Sequence, residues 1–251
     1  MKKLFMSAVA LLFAGALWAQ ENPLWMRHCA ISPDGTTIAF TYKGDIFTVP
    51  VSGGKATQIT TNPAFDTTPI WSPDSKQIAF ASDRMGSMDV FIADIMPSTE
   101  DAGFPSNGQF QQIYQIPVSG GRPVMFSSMP MECISINKEG TILYQDKKGY
   151  EDYWRKHQKS PIARDIWMLR PGQTPRYEKQ TTFIGEDREP VWAPDGKSFY
   201  YLSEENGTFN VYQRTPGSDT SKQVTHHKQH PVRFLSMASN GNICYGFDGE
   251  I

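Results

Sequence analysis

Cysteine is scarce in this chain: Cys29, Cys133 and Cys244 are the only three in 251 residues. An odd number at unrelated repeat positions does not read as a disulfide framework, and the three read as buried free thiols in strands. Beyond the N-terminal residues there is no long apolar run, so no membrane span is expected in the mature chain. A Gly-x-Ser-x-Gly elbow and a glycine-rich phosphate loop are both missing, which removes the two commonest local signs of an acyl-transfer or nucleotide site. No catalytic constellation is expected, and no cofactor.

Excess positive charge is missing too. The 24 basic and 26 acidic residues include Lys2 and Lys3. Without those two the balance is 22 against 26, a formal charge of −4, which argues against a nucleic-acid partner. Residues 1–19 have the form of a secretory signal: the positive Lys2-Lys3, the apolar Leu4–Ala16, then Leu17-Trp18-Ala19 before Gln20. Export to the periplasm or the medium is therefore expected, with 20–251 as the folded domain. No cysteine sits at the cleavage point to carry a lipid anchor.

What the chain has in abundance is one turn. Ser32-Pro-Asp-Gly35 recurs as Ser72-Pro-Asp-Ser75 and Ala193-Pro-Asp-Gly196, and in weaker form as Asn137-Lys-Glu-Gly140 and Ala238-Ser-Asn-Gly241. The fourth position of the turn steps by 40, 65, 56 and 45 residues. Proline presets φ at the second position, aspartate bonds to nearby backbone, and glycine accepts a positive φ. An apolar strand precedes each turn and a β-rich strand such as Ile38–Tyr42 follows it. A short-strand unit repeating near 40 residues predicts an all-β propeller, with about four complete blades and the start of a fifth.

In the first repeat the expected strands are 25–31, 37–42, 44–51 and 56–60. In the second, Asp89–Ile95 is the third strand, 96–108 reads as an aperiodic surface loop, and Ile113–Gly121 returns to the text of 47–54. Asn206-Gly207 in the fourth repeat predicts a two-residue hairpin. The fifth repeat runs from Pro231 to Ile251 and contains one hairpin. The expectation is an N-terminal piece of a longer protein, with bare apolar blade faces that favour a homo-oligomer or contact with other domains of the same chain.

The signal peptide, the repeated turn and the third-strand text Gly44-Asp-Ile-Phe47 together resemble a TolB-like propeller. The segment Tyr150-Glu-Asp-Tyr-Trp-Arg-Lys-His157, leading into Arg164-Asp-Ile-Trp167, is more specific. It resembles the first, six-bladed propeller of tricorn-type serine proteases. That resemblance implies a non-catalytic region that gates or anchors peptides or unfolded polypeptide for a C-terminal serine-peptidase domain. Two other readings stay open: a periplasmic TolB-like protein-binding scaffold, and the propeller of a prolyl-oligopeptidase-type enzyme.

Candidate binding residues are few. Arg155 and Lys156 lie in a basic, aromatic-flanked insertion of an acidic protein, and a cationic pair there suits a peptide carboxylate. A solvated or inter-domain loop packed by Tyr150, Tyr153 and Trp154 is the competing reading. His226, His227 and His230 form a His-His-x-x-His run in a connection between blades, where a polar rim is favoured over a metal site. Asp34, Asp74 and Asp195 stand singly in separate turns and do not supply a calcium site.

Overall fold

The computed structural model describes residues 25–95, 102–104, 113–115, 124–127, 129–147, 163–173 and 176–251. Twenty strands are present and there is no helix among the described residues. The first blade is β1 (Arg27–Ile31), β2 (Thr37–Tyr42), β3 (Asp45–Pro50) and β4 (Thr57–Gln58). The second is β5 (Asp66–Trp71), β6 (Gln77–Ser82), β7 (Asp89–Asp94) and β8 (Ala102–Phe104). A separate hairpin follows, β9 (Ile113–Gln115) and β10 (Val124–Ser127). The third blade is β11 (Met131–Ile136), β12 (Ile142–Asp146), β13 (Ile166–Leu169) and β14 (Tyr177–Lys179). The fourth is β15 (Asp187–Trp192), β16 (Phe199–Ser203), β17 (Asn210–Arg214) and β18 (Ser221–Gln223). A final hairpin, β19 (Arg233–Met237) and β20 (Ile243–Gly246), begins a fifth. Each four-stranded sheet is an antiparallel meander in chain order. This is the expected propeller of four full blades and part of another.

All five recurring turns close in the same way. The amide at the fourth position donates to the carbonyl of the first: Gly35 to Ser32 at 2.8 Å, Ser75 to Ser72 at 3.0 Å, Gly140 to Asn137 at 3.0 Å, Gly196 to Ala193 at 2.9 Å and Gly241 to Ala238 at 2.9 Å. That position has φ between +61° and +89° in every copy, which is why glycine fills it in four of the five. The aspartates serve the turns as expected. Asp34 Oδ1 accepts from Thr36 N at 3.0 Å and Asp195 Oδ1 from Lys197 N at 2.9 Å.

Each inner strand carries a bulge that the sequence does not announce. The register slips once in β1, β5, β11, β15 and β19. At the slip stand His28, Thr68, Cys133, Glu189 and Phe234, all with positive φ and all seven residues before the turn's fourth position. None is a glycine, and a β-branched threonine is unfavourable there. Tertiary packing, repeated blade by blade, imposes the conformation.

Blades join through the residue that ends the inner strand. Trp192 Nε1 donates to Thr141 O of the preceding blade at 3.2 Å, and its amide donates to Ser135 Oγ at 3.0 Å. Trp71 Nε1 reaches Ala30 O at 2.8 Å in the same manner. The first and fifth repeats are joined as well. Ile31 N donates to Ser236 Oγ at 3.1 Å, Ser239 N to Pro33 O at 2.9 Å and Trp25 N to Gly249 O at 3.1 Å. The expectation that the first and fifth repeats present bare faces is thus corrected, because β1 packs on β19 and β20 as well as on β5. The less packed junction lies between the second and third blades. There Ile136, in the place of Trp192, is 61% exposed, against 8% for Trp192 and 6% for Ile31.

Two local expectations are also corrected. β8 forms inside the stretch read as an aperiodic loop, pairing Val90 with Phe104 at the edge of the second blade. Asn206-Gly207 is part of a longer connection between β16 and β17, closed by Gly207 N on Glu204 O at 2.9 Å. The return text at Ile113 makes the β9–β10 hairpin, whose Ile113 and Phe126 pack on Met131 and Tyr144 of the third blade.

Candidate functional site

The strand register places four charged residues on one face of the propeller. Arg27, Glu132, Arg188 and Arg233 occupy equivalent positions, one before the bulge. They pair across to Thr41, Gln145, Leu202 and Gly246 near the end of the second strand. Connections between second and third strands leave from that same end. The described ends of the β12–β13 connection, Lys147 and Arg164, lie on the face where these charged residues stand.

Arg155 and Lys156 lie outside the described residues. The stems that carry them are described, and both are tied down. On one side Lys147 Nζ is 3.0 Å from Glu132 Oε1. On the other, Arg164 bridges Glu132 Oε2 at 3.2 Å and Glu186 Oε1 at 2.7 Å. Glu186 is fully buried and also receives Arg188 Nε at 2.5 Å. Gln145 completes the group, donating to Glu132 at 3.0 Å and accepting from Glu189 N at 2.9 Å. A buried carboxylate is costly unless ions and hydrogen bonds surround it, and here two guanidinium groups do so.

Electrostatics follow from this packing. Burial opposes the charge on Arg164, but Glu186 and Glu132 outweigh it and raise the guanidinium pKa. Burial likewise opposes Glu132, and the hydrogen bonds from Lys147 and Gln145 win, lowering its pKa. Glu189 is pushed up by burial, partly offset by the Leu235 amide, which donates to its Oε2 at 2.7 Å. Arg233 is depressed by burial and by the nearby Arg188 and Arg27. Among the described residues no carboxylate forms an ion pair with Arg27 or Arg233. This face therefore combines a neutralised ionic group at the ends of the β12–β13 connection with the cationic side chains of Arg27 and Arg233.

The other sequence candidates resolve individually. His226 and His230 are exposed, as a polar rim requires, and His227 between them is half-buried. Its ring stacks on Phe247 at 3.8 Å, and its amide donates to Asn210 Oδ1 at 2.8 Å. His230 faces Asp248 at 3.7 Å. Of the cysteines, Cys29 and Cys244 are buried, whereas Cys133 is exposed at its bulge, contrary to the reading of three buried thiols. Glu132, Glu186, Arg188 and Arg233 were not singled out by sequence reasoning. For Glu132, Arg188 and Arg233 the signal was present as a fixed offset, eight residues before the turn's fourth position, whereas Glu186 has no charged equivalent in the other blades.

No protein-family model matches the chain. Tricorn protease homolog 1 of Streptomyces coelicolor is 23% identical over 218 residues, covering 76% of this chain and 20% of that protein. The crystal structure of the tricorn protease superposes with a TM-score of 0.70 at 16% identity, over 90% of this chain and 25% of that one. The fold is that of a tricorn-type β-propeller. A putative TolB from Agrobacterium tumefaciens also matches, with a TM-score of 0.46 and 16% identity over 92% of this chain and 73% of that one. The chain spans about a fifth of the length of the tricorn homologue and a quarter of the tricorn protease chain.

Proposed function

We propose that this chain is the non-catalytic first propeller of an exported tricorn-type serine peptidase. In that role it gates peptides and anchors them for a protease domain elsewhere in the parent protein. The observation that carries the reading is the agreement of two comparisons, by sequence with a tricorn homologue and by fold with the tricorn protease. The mouth supports it. An insertion bearing Arg155 and Lys156 stands on stems fixed by Lys147 and Arg164, and Arg27 and Arg233 lie on the same face. Guanidinium groups bind carboxylates in bidentate fashion, so this face suits the acidic end of a peptide.

The propeller itself supplies no nucleophile in this reading. The purified 251-residue chain is expected to leave peptides intact, while the parent protein cleaves them with sensitivity to serine-directed reagents. Cleavage by the isolated chain that those reagents abolish would sink the proposal.

A further inference from the structure

We propose that the first blade carries a docking site for an acidic, aromatic peptide segment: Arg27 and Lys43 bind its carboxylate, and the exposed rings of Trp25 and Phe65 take its apolar side chains. The third blade shows the same positions occupied by an ion pair. There Lys147, just after β12, holds Glu132 of β11 at 3.0 Å, and Arg164 holds the same carboxylate at 3.2 Å. Arg27 pairs with Thr41 as Glu132 pairs with Gln145, and in each blade a lysine follows two residues later. Lys43 is thus the equivalent of Lys147, and Arg27 that of Glu132. The first blade sets two cations where the third sets a cation and a carboxylate, and like charges side by side repel. Among the described residues neither Arg27 nor Lys43 has a carboxylate partner. A carboxylate from outside, standing where Glu132 stands in the third blade, completes the group, and the Arg27 guanidinium can bind it in bidentate fashion.

The rings beside these cations are open to solvent. Trp25 is 69% exposed and Phe65 is 52% exposed, and each stands ten residues before its turn's fourth position, in adjacent blades. The other three repeats have Pro130, Glu186 and Pro231 at that place. Arg27 Cζ lies 5.6 Å from the centre of the Trp25 ring and Lys43 Nζ lies 5.2 Å from that of Tyr42, so each cation rests on a ring. Phe65 is fixed beside Lys43: its amide donates to Asp83 Oδ1 at 2.7 Å, and the next amide, of Asp66, donates to Gly44 O at 2.7 Å. The position of Lys43 is taken by Asp83 in the second blade and by Glu204 in the fourth, where Glu204 Oε1 accepts the Glu186 amide at 3.1 Å. The fold therefore accepts an acidic residue at this point, and the lysine of the first blade is not imposed by the turn. Bases of a single-stranded nucleic acid also stack on exposed rings, but the chain as a whole is acidic, which favours a peptide. The inference names a ligand for the peptide-handling reading and rests on it for the class of that ligand.

The test follows the fluorescence anisotropy of a fluorescein-labelled peptide in which phenylalanine and aspartate alternate, titrated with the full 251-residue chain. Wild type is expected to bind it, less tightly as salt is added. The same peptide with lysine for aspartate, or with serine for phenylalanine, should bind about tenfold more weakly. Lys43→Glu supplies the missing carboxylate from within the chain and should lower affinity about tenfold at no cost in melting temperature, whereas Lys43→Arg should keep it. Phe65→Ser, at an exposed ring, should also lower affinity about tenfold. No binding by wild type, equal binding by wild type and Lys43→Glu, equal binding of the lysine peptide, or tighter binding of a labelled oligothymidylate overturns the proposal. Cleavage plays no part in the readout, so a parent protein that leaves peptides intact sinks the protease reading and leaves this result standing.

Discussion

Arg164 Nη1 lies 2.7 Å from Glu186 Oε1, and through that contact the end of the insertion is bonded to the root of the next blade. Glu186 precedes β15 and is wholly enclosed, so the pair links the stem of a surface segment to the interior. Arg164→Ala removes one of the two guanidinium groups on the Glu186 carboxylate, and also deprives Glu132 of one cation. A loss of about 3 kcal/mol in folding free energy is expected, because a buried charge then loses a close cationic partner. Urea unfolding of wild type and variant measures it. An unchanged midpoint would remove the ionic base from the account.

Asp187 and Asp66 occupy the same place in two blades, nine residues before the turn's fourth position. Asp66 is gripped by Arg84 Nη2 at 3.2 Å to both oxygens. In the fourth blade Glu205 takes the position of Arg84. Neither oxygen of buried Asp187 has a hydrogen-bond partner at ordinary geometry. Burial pushes its pKa up to about 7, Asp165 and Glu205 add to the rise, and Ser203 and Thr181 offset part of it. Because the folded value lies above the unfolded one, this group contributes stability below about pH 4, and that contribution is lost as pH rises to about 7. Asp187→Asn should therefore flatten stability between those limits and stabilise the protein at pH 8 by up to about 4 kcal/mol. Glu205→Arg should act in the same direction by restoring the partner that Asp66 has. Denaturant midpoints at pH 4, 6 and 8 provide the check, and parallel curves for wild type and Asp187→Asn would refute it.

Trp192 stands at the junction of the third and fourth blades. It is packed edge-on against Phe199 with ring centroids 6.2 Å apart and donates to Thr141 O. Trp192→Phe keeps most of the apolar area and loses one hydrogen bond, so about 1 kcal/mol is expected. Trp192→Ala opens a cavity and should cost about 3–5 kcal/mol. Equal losses for the two variants would show that the inter-blade hydrogen bond, rather than the filling of space, governs the junction.

Much of this fold was legible because its turns obey local rules. Proline, aspartate and glycine state their backbone angles in one residue each, and all five turns fell where those residues stand. The bulges were not legible, since nothing local makes Thr68, Cys133 or Glu189 take a positive φ. That conformation comes from neighbouring blades, which periodicity does not report. β8 was missed for a related reason: Ala102–Phe104 is an edge strand with no apolar alternation, made by pairing with β7. Arg155 and Lys156 were singled out by composition. Of the groups that fix their stems, Glu132 shares its place with Arg27, Arg188 and Arg233, whereas Glu186 is seen only in the packed ion pairs. The contact between the first and fifth repeats lies beyond any local signal, because Ile31 and Ser236 meet only after the ring has curved.

Gly35 and Gly140 take similar φ values, +74° and +77°, in equivalent turns. A Cβ at Gly35 would meet Asn240 Nδ2 at 2.4 Å, whereas at Gly140 it would meet nothing within 4 Å. Both alanine variants carry the backbone cost of a positive φ, about 1 kcal/mol. Gly35→Ala should lose more, because Asn240 in the fifth repeat must move. Thermal unfolding of the two variants side by side gives the difference. A larger loss at Gly140 would contradict the close approach of the first and fifth repeats.

The proposed anchoring of peptides centres on Arg155 and Lys156. Steady-state cleavage of a peptide with a free C-terminal carboxylate, by the parent protein with and without Arg155→Ala plus Lys156→Ala, addresses it most directly. The predicted result is a KM raised about tenfold or more, with a much smaller loss when the same peptide is C-terminally amidated, since the variant removes carboxylate binding. Unchanged KM and kcat on both peptides would contradict the anchoring role.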